Sequence, residues 1–483
     1  MPYLRQKNFQ GGLSDSENTG VEGSFYEGVG VNIHGKPGMA TVNQKLTKES
    51  GTTVTDFVKS SVQGTNGITY FFGDTGRIYS RSADGTYTLA YTRSSNDAIL
   101  SACEYDGYLY YTTAAHLHRK PLPGLGDWSD HQGDWGIFTN GDTKYHPMIV
   151  NGLYLYVGDG RAMATVDDLG NFTANGIYGG STFTSLPHGF RARCLYNYDT
   201  DILIGSVVDE TINKARVFRW DGTSSTYDST DEIGEPGIQA FVPIDNSVFA
   251  ICGNRGNMYF YDGKSLREPP AKRLRGNYSS TDFIEVHPDA VDGFDGLAMI
   301  GVSRSAGEPI LHGVYSIGRY DKNYPLALNL EYLISTNSRT SVEIGVIKAV
   351  GQNMFVSWKD WNDPGSLTYG IDKIDWTTKY ASAYLITRDL SGDRLVPKTF
   401  NRYICSFKDC GGDASLKLSY IKNYGTATSL ASYSRTATDE NYIIADQHID
   451  TGNLQIKVEW ETTGNSAMAV EEIAIEWNPK KPK

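Results

Sequence analysis

Cysteine is scarce, five in 483 residues, and the number is odd. A disulfide-stapled secreted scaffold, in which cysteines are dense and paired, is excluded. Cys103, Cys194 and Cys252 sit inside apolar runs, where a free thiol behaves as a small hydrophobe. Cys405 and Cys410 form C-x4-C without the second pair or histidine tail of a four-ligand zinc site, so no metal is expected from them. Positive charge is also short: 44 Lys plus Arg stand against 56 Asp plus Glu, a net charge of −12. Nucleic-acid and anionic-membrane binders draw affinity from basic surface, so specific nucleic-acid binding is not expected. There is no run of about 18 apolar residues to span a bilayer. The first twenty residues lack the apolar core of a secretory signal, and export is not expected either. With 39% hydrophobic and 21% charged residues, the composition is that of a globular chain and not of a disordered segment, a coiled coil or a collagen-like fibre.

What the chain does have is an internal repeat. A turn residue, an apolar strand of about six residues, a polar turn and a second strand recur, as in Gly67 to Phe72 followed by Gly76 to Ser80. Seven copies begin at Gly67, Gly107, Gly152, Asp201, Ser247, Gly296 and Gln352, at intervals of 40 to 56 residues. That interval suits one four-stranded propeller blade and is too long for one coil of a β-solenoid. Several strands end in Asp-Gly, at Asp84-Gly85, Asp221-Gly222 and Asp262-Gly263. Asp bonds to nearby backbone and Gly accepts positive φ, so these are hairpin ends and not catalytic aspartates. Trp220-Asp221 invites comparison with WD40 repeats, but the Gly-His partner is missing and the other copies lack Trp-Asp.

After about Tyr380 the spacing stops and cleaner period-two alternation begins. Leu454, Ile456, Val458 and Trp460 share one face of a strand, with Gln455, Lys457 and Glu459 on the other. Ile473, Ile475 and Trp477 repeat the pattern, as do Leu416, Leu418 and Tyr420. The expected fold is therefore all-β: a β-propeller of about seven blades, six or eight being the neighbouring counts, over residues 37–380, then a jelly-roll-like β-sandwich over 381–483. The stretch Pro37 to Val42 is expected to close the ring by lending a strand to the last blade. Residues 1–36, rich in Gly, Ser and Asn with Phe9, Phe25 and Tyr26 among them, are expected to form an extended arm, laid on a neighbour or loose.

Candidate chemistry is thin. Ser82 to Thr86 approaches the Asp box of sialidase-type propellers, but Gly85 directly follows Asp84, which is the wrong spacing. Arg191, Arg193 and Arg219 are arginines of the kind that could grip a carboxylate, with no placement readable from sequence. His116 and His118 flank Leu117 and share a strand face, the geometry of paired metal ligands, yet without a matching carboxylate they are expected to face solvent. His146-Pro147 and His287-Pro288 each precede a repeat and are expected in equivalent loops as turn residues. Asp167 with Asp168, and Asp199 with Asp201, lack the order of a calcium loop. No phosphate loop or nucleophile elbow occurs. Phe25, Tyr26, Trp358, Trp361 and Trp376 are the aromatics that could form an interaction surface.

A Gly-rich arm, a tyrosine-rich propeller and a terminal sandwich follow one another here, marked by the Asp-Gly hairpins, the Pro37-Gly38 entry and the ending from Leu454 to Trp460 and Val470 to Trp477. That order resembles the propeller proteins of tailed-bacteriophage tails, of the tail nozzle or DNA-stabilisation type in short-tailed phages. Seven repeats differ from the six blades associated with nozzles. The resemblance implies a non-enzymatic virion structural protein made in the host cytoplasm, with no cofactor, metal or catalytic residues. Its implied partners are other tail proteins (adaptor, portal-proximal or fibre proteins) and copies of itself in a ring. Two other readings stay open: a receptor- or glycan-binding tail protein, and a propeller-type glycan-active enzyme.

Overall fold

A computed structural model describes residues 3–14, 20–122, 128, 131–175, 186–208, 212–274, 284–304, 312–319, 326–336, 342–361, 367–391, 398–408, 414–434, 441–462 and 468–479. The chain divides into two units, one of residues 48–312 and 336–373, the other of residues 1–47, 313–335 and 374–483.

The first unit is a β-propeller. Each sequence repeat marks the turn into the second strand of one blade. At four of these turns an aspartate, Asp106, Asp199, Asp245 or Asp295, takes up left-handed backbone, with φ between 45° and 57°. Five blades are complete four-stranded meanders, starting at Val58, Ser101, Met148, Arg191 and Ile238. The innermost strands are Val58–Gln63, Ser101–Tyr105, Met148–Asn151, Arg191–Tyr198, Ile238–Ile244, Val291–Phe294 and Val342–Val350. Each neighbours the next, and the seventh neighbours the first, so the ring closes at seven. The Asp-Gly pairs form outer hairpin ends as expected: Asp221 Oδ1 accepts from Thr223 N and Ser224 N, and Asp262 Oδ1 from Lys264 N and Ser265 N.

The second strands run apolar without alternation because both faces of a blade pack on its neighbours. Phe71, Tyr79, Val346, Phe355 and Ile371 join blades one and seven, while Phe72, Ile78, Leu109 and Tyr111 join one and two. Burying such side chains is worth roughly 1.5–3 kcal/mol each before entropy is counted. The seam between first and last blades depends on Gly345, where an added Cβ would lie 1.9 Å from Val58 O. Ser357 Oγ donates to the same carbonyl at 2.7 Å.

Ring closure uses a different segment from the one expected. Gln44–Lys48 joins the seventh blade beside Thr368–Lys379, and beyond it Glu49 N donates to Ile371 O at 2.9 Å. Thr41–Val42 instead pairs with Val31–Asn32, and Ala40 bridges Val470.

The second unit is a β-sandwich. One sheet runs Tyr3–Lys7, Ala469–Pro479, Lys398–Lys408, Tyr442–Thr451; the other runs Gly12–Leu13, Ser24–Val29, Ser382–Thr387, Leu454–Thr462, Ala414–Lys422, Ala427–Ser434. Their inner faces bury Tyr403, Cys405, Ile473 and Ile475 in one sheet and Leu385, Leu416, Leu418, Val458 and Trp460 in the other. Residues 1–36 are therefore no free arm: three of their strands belong to these sheets, with Phe9 and Phe25 fully buried. Apolar side chains at those positions gain more from the core than from solvent. The hairpin Gly313–Gly318 to Ala327–Tyr332 belongs to this unit as well, so the boundaries 1–36, 37–380 and 381–483 do not hold.

Candidate functional site

The inner strands of the propeller are bulged at recurring positions. Register slips by one residue at Lys59, between Val58 paired with Gly73 and Ser60 paired with Phe72. The same slip occurs at Arg193, Gln239 and Gly345. The sixth blade departs furthest. Glu285 pairs with Ser303 and Val291 with Ile300, so the five residues 286–290 stand opposite only two, 301 and 302. A bulge bends its strand and re-aims side chains, and bulges concentrate beside functional sites. Gln239 anchors this excursion: its Nε2 donates to Ile284 O at 3.0 Å and its Oε1 accepts Val286 N at 2.8 Å. Gly301 lies beneath it, where a Cβ would sit 2.5 Å from Ile344 Cγ2.

The bulges deliver charged residues to a pocket of ≈ 530 Å³, lined by residues from six of the seven inner strands. Lys59, Arg193, Glu285, His287, Asp289 and Asp292 supply its polar wall, and Tyr145, Met148, Tyr196, Phe241 and Pro243 its apolar one. Lys59 pairs with Asp74 at 2.9 Å. Arg193 is 7% exposed; its Nη2 reaches Glu285 Oε1 only at 3.6 Å, and its guanidinium lies 5.3 Å from the Tyr145 ring. Asp292 accepts Ala349 N at 2.8 Å and faces Lys348 at 4.0 Å. Ser60 Oγ donates to Asp289 Oδ2 and accepts Ala102 N. Burial raises the Asp289 carboxyl to about 6, against the Ser60 hydrogen bond and the Lys348 charge. Burial pulls the His287 imidazole down, with Glu285 opposing and Lys59 and Arg193 assisting. Two buried atoms in this wall, Arg193 Nε and His287 Nε2, have no hydrogen-bond partner among the described residues.

His146 and His287 both line the pocket, each just before an inner strand, so the two His-Pro pairs do occupy equivalent places. They differ in chemistry. His146 is held by backbone, Nδ1 at 2.8 Å from Gly158 O and Nε2 at 3.0 Å from Asp142 O, and its ring stacks on Phe138 at 4.0 Å. His118, expected at the surface, is fully buried. Its Nδ1 accepts Asp134 N at 2.9 Å, its ring stacks on Tyr111 at 4.7 Å, and burial beside the Arg93 charge pushes it down to about 2. It is a neutral core histidine, while His116 stays half-buried next to Asp134 at 3.4 Å. Arg191 reaches the Tyr145 ring with Arg193, but Arg219 is engaged elsewhere, by Asp201 and by Gly263 O at 2.7 Å.

The aromatics proposed as a surface divide. Phe25 is buried, and Trp358 is 3% exposed with its Nε1 donating to Asp372 Oδ1 at 2.7 Å; neither is surface, because each finds core partners. Tyr26 is half-buried. Trp361 is exposed, donating to Glu343 Oε1 and lying 4.4 Å from Lys359 Nζ, and Trp376 is exposed in the other unit. Cys410 lies outside the described residues. Burial pushes the Cys194 and Cys405 thiols up to about 12, so neither is a ready nucleophile. Among the described residues no group of three or more His, Cys, Asp or Glu could hold a metal ion. No helix of the described residues is long and apolar enough to cross a membrane.

A second feature lies in the sandwich. In its four-stranded sheet, Tyr3–Lys7 and Tyr442–Thr451 are the two edges among the described residues. The first edge exposes Tyr3, Arg5 and Lys7; the second exposes Tyr442, Ile444, Asp446 and Asp450. Tyr3 pairs with Glu476, Glu476 with Arg402 and Arg402 with Asp446, so opposite charges alternate across the sheet.

No family model matches the chain, and no curated protein does. Solved structures of similar shape include the extracellular domain of a putative hybrid two-component system from B. thetaiotaomicron, at 15% identity and a TM-score of 0.46, covering 77% of this chain and 44% of that one. The chain thus spans less than half of that protein. The WD40 β-propeller domain of Doa1 matches at 13% identity and a TM-score of 0.43, over 70% of this chain and 97% of that one. Virginiamycin B lyase from Staphylococcus aureus matches at 13% and 0.44, over 65% and 95%. None of the three is described as a virion protein.

Proposed function

We propose that the chain is a non-enzymatic structural protein of a tailed-phage virion, a tail component of nozzle, tail-ring or fibre-attachment type that assembles with copies of itself. The observation that carries this reading is the pair of sheet edges that no other strand covers among the described residues. Such edges invite pairing with another chain, and here they carry exposed Tyr3, Tyr442 and Ile444 between charges that repel a like edge and admit one of opposite sign. One edge presents Arg5 and Lys7, loosely faced by Glu472 at 3.6 and 3.8 Å, and the other Asp446 and Asp450, met within the sheet by Arg402 and Thr399 at 2.6 Å. These four edge side chains are exposed, so the edges keep opposite signs and an edge of one copy complements the opposite edge of the next. Contact between unlike surfaces is heterologous and generates rings when the rotation closes. The held state of His146 and the raised thiols also favour a non-enzymatic role. The virion setting rests on the resemblance of the sequence, and the acidic balance of −12 suits a tail part past which DNA must slide without sticking.

Mass photometry of the purified chain tests the edge. The wild type is expected to populate oligomers; Arg5→Glu with Lys7→Glu should dissociate them, and Asp446→Lys with Asp450→Lys in the same chain should restore them. A wild type that stays monomeric at all accessible concentrations contradicts the reading. A glycan-binding reading is favoured by one separate observation, the polar pocket at the propeller centre.

A further inference from the structure

Folded proteins rarely leave buried polar groups unmet, and each unmet group costs about 1–3 kcal/mol. Among the described residues Arg193 Nε and His287 Nε2 both lack a partner, and both belong to residues lining the central pocket. Both are held there by departures from regular pairing: Arg193 is the extra residue of a bulge, and His287 lies in the five-residue excursion of the sixth blade. A strand that gives up ladder bonds to place these groups, and then leaves them without partners, is arranged for something that enters the pocket.

The wall restricts what that is. The Nε and Nη2 edge of Arg193 is loosely held, since Nη2 meets Glu285 only at 3.6 Å, and this edge suits the two oxygens of a planar carboxylate. A doubly charged phosphate is disfavoured, because Asp74, Glu285, Asp289 and Asp292 line the same pocket. A wholly apolar guest would leave the guanidinium unmet. Asp289 and a neutral His287 offer acceptors and donors of the kind that hydroxyl groups pair with. Tyr196 and Phe241, ring centroids 6.0 Å apart, give an apolar flank for the C–H face of a ring. The volume, ≈ 530 Å³, falls within the roughly 300–1,000 Å³ of small-ligand sites.

We propose that the central pocket of the propeller binds a small acidic sugar, one carboxylate on a hydroxylated ring, with Arg193 taking the carboxylate and His287 and Asp289 the hydroxyls. This stands on the pocket alone and not on the virion reading, so either can fail without the other. Isothermal titration of the full chain with sodium glucuronate tests it, with glucose and inorganic phosphate as comparators. Glucuronate is expected to bind with a Kd of about 1 mM or tighter, at least about tenfold better than either comparator. Arg193→Met should weaken it at least about tenfold while the melting transition is retained. Should that variant not fold, His287→Phe, which keeps the ring volume but removes both nitrogens, is expected to weaken binding several-fold. Equal affinity for an oligosaccharide ending in glucuronate assigns the ligand to a glycan terminus; preference for the free sugar assigns it to a soluble metabolite; both uphold the site. No binding at about 10 mM glucuronate, tighter binding of phosphate, or glucuronate binding untouched in a folded pocket variant overturns it.

Discussion

Around Glu331 in the sandwich unit, four side chains close on one fully buried carboxylate. His34 Nε2 lies 2.7 Å and Asn43 Nδ2 2.8 Å from Oε1, while Ser316 Oγ lies 2.9 Å and Asn329 Nδ2 2.8 Å from Oε2. Around Arg193 in the propeller unit, a guanidinium that is also buried keeps an Nε without a partner among the described residues, and the nearest carboxylate among them is 3.6 Å away. The first arrangement satisfies its charge from within the chain and so fixes structure, tying residues 34 and 43 to the hairpin that carries Glu331. The second leaves its charge unfinished. Burial alone does not separate a lock from a binding site; the state of the hydrogen bonds does.

The sharpest way to break that contrast is Glu331→Ala. It strips four groups of their acceptor, and loss of a partner at a buried charged cluster costs about 3–5 kcal/mol, read as a lower urea midpoint. A loss below about 1 kcal/mol would mean that the cluster locks nothing. The next effect belongs to Asp289. Its carboxyl is raised from the ordinary 3.8 to about 6, so the folded state binds the proton more tightly than the unfolded state does. Its contribution therefore favours folding at low pH, is lost as pH rises from about 4 to about 6, and is flat above that. Ser60, Lys348 and Asp292 surround it, and Asp289→Asn keeps an oxygen for the Ser60 hydroxyl. The variant is expected to exceed the wild type in stability above pH 6 by on the order of 2 kcal/mol, the gap closing toward pH 4; denaturant titrations at several pH values measure it. The smallest effect is expected at Arg193→Met. Replacing an incompletely paired buried cation by an apolar chain of similar length should change stability by less than about 1 kcal/mol, in either direction. A loss as large as that of Glu331→Ala would place Arg193 among the structural locks.

Much of the fold was legible in the sequence because the blade repeat has a local cause. Each second strand is apolar on both faces and each copy opens on a turn that accepts left-handed backbone, so seven copies were countable. The alternation of Leu454, Ile456, Val458 and Trp460 likewise placed a sandwich strand, with all four now buried. The closing strand was harder to see, since Gln44–Lys48 carries Leu46 as its single apolar residue. The first strand reads as a polar terminus because its edge position exposes Tyr3, Arg5 and Lys7. Of the candidate site, the two His-Pro pairs were visible before their strands, and Arg193 was noticed only as one of three arginines. Lys59 and Asp289 were missed. Their placement depends on bulges, and a bulge is a property of two strands in register, which a single strand's pattern does not carry. A charged residue set against apolar neighbours in an inner strand, as with Arg193 beside Cys194 and Leu195, is the one local signal that could have pointed there. The aromatic positions failed for a related reason: Phe25 and Trp376 look alike in sequence, yet one fills a core and the other faces solvent.

The central claim, that this chain is a structural part of a virion tail, is tested most directly by quantitative mass spectrometry of density-purified particles from the culture that produces it, with copy number scored against the major capsid protein. A fixed, low number of copies in every particle, consistent with a ring, is the expected result. A chain absent from particles and free in the lysate or medium would contradict it.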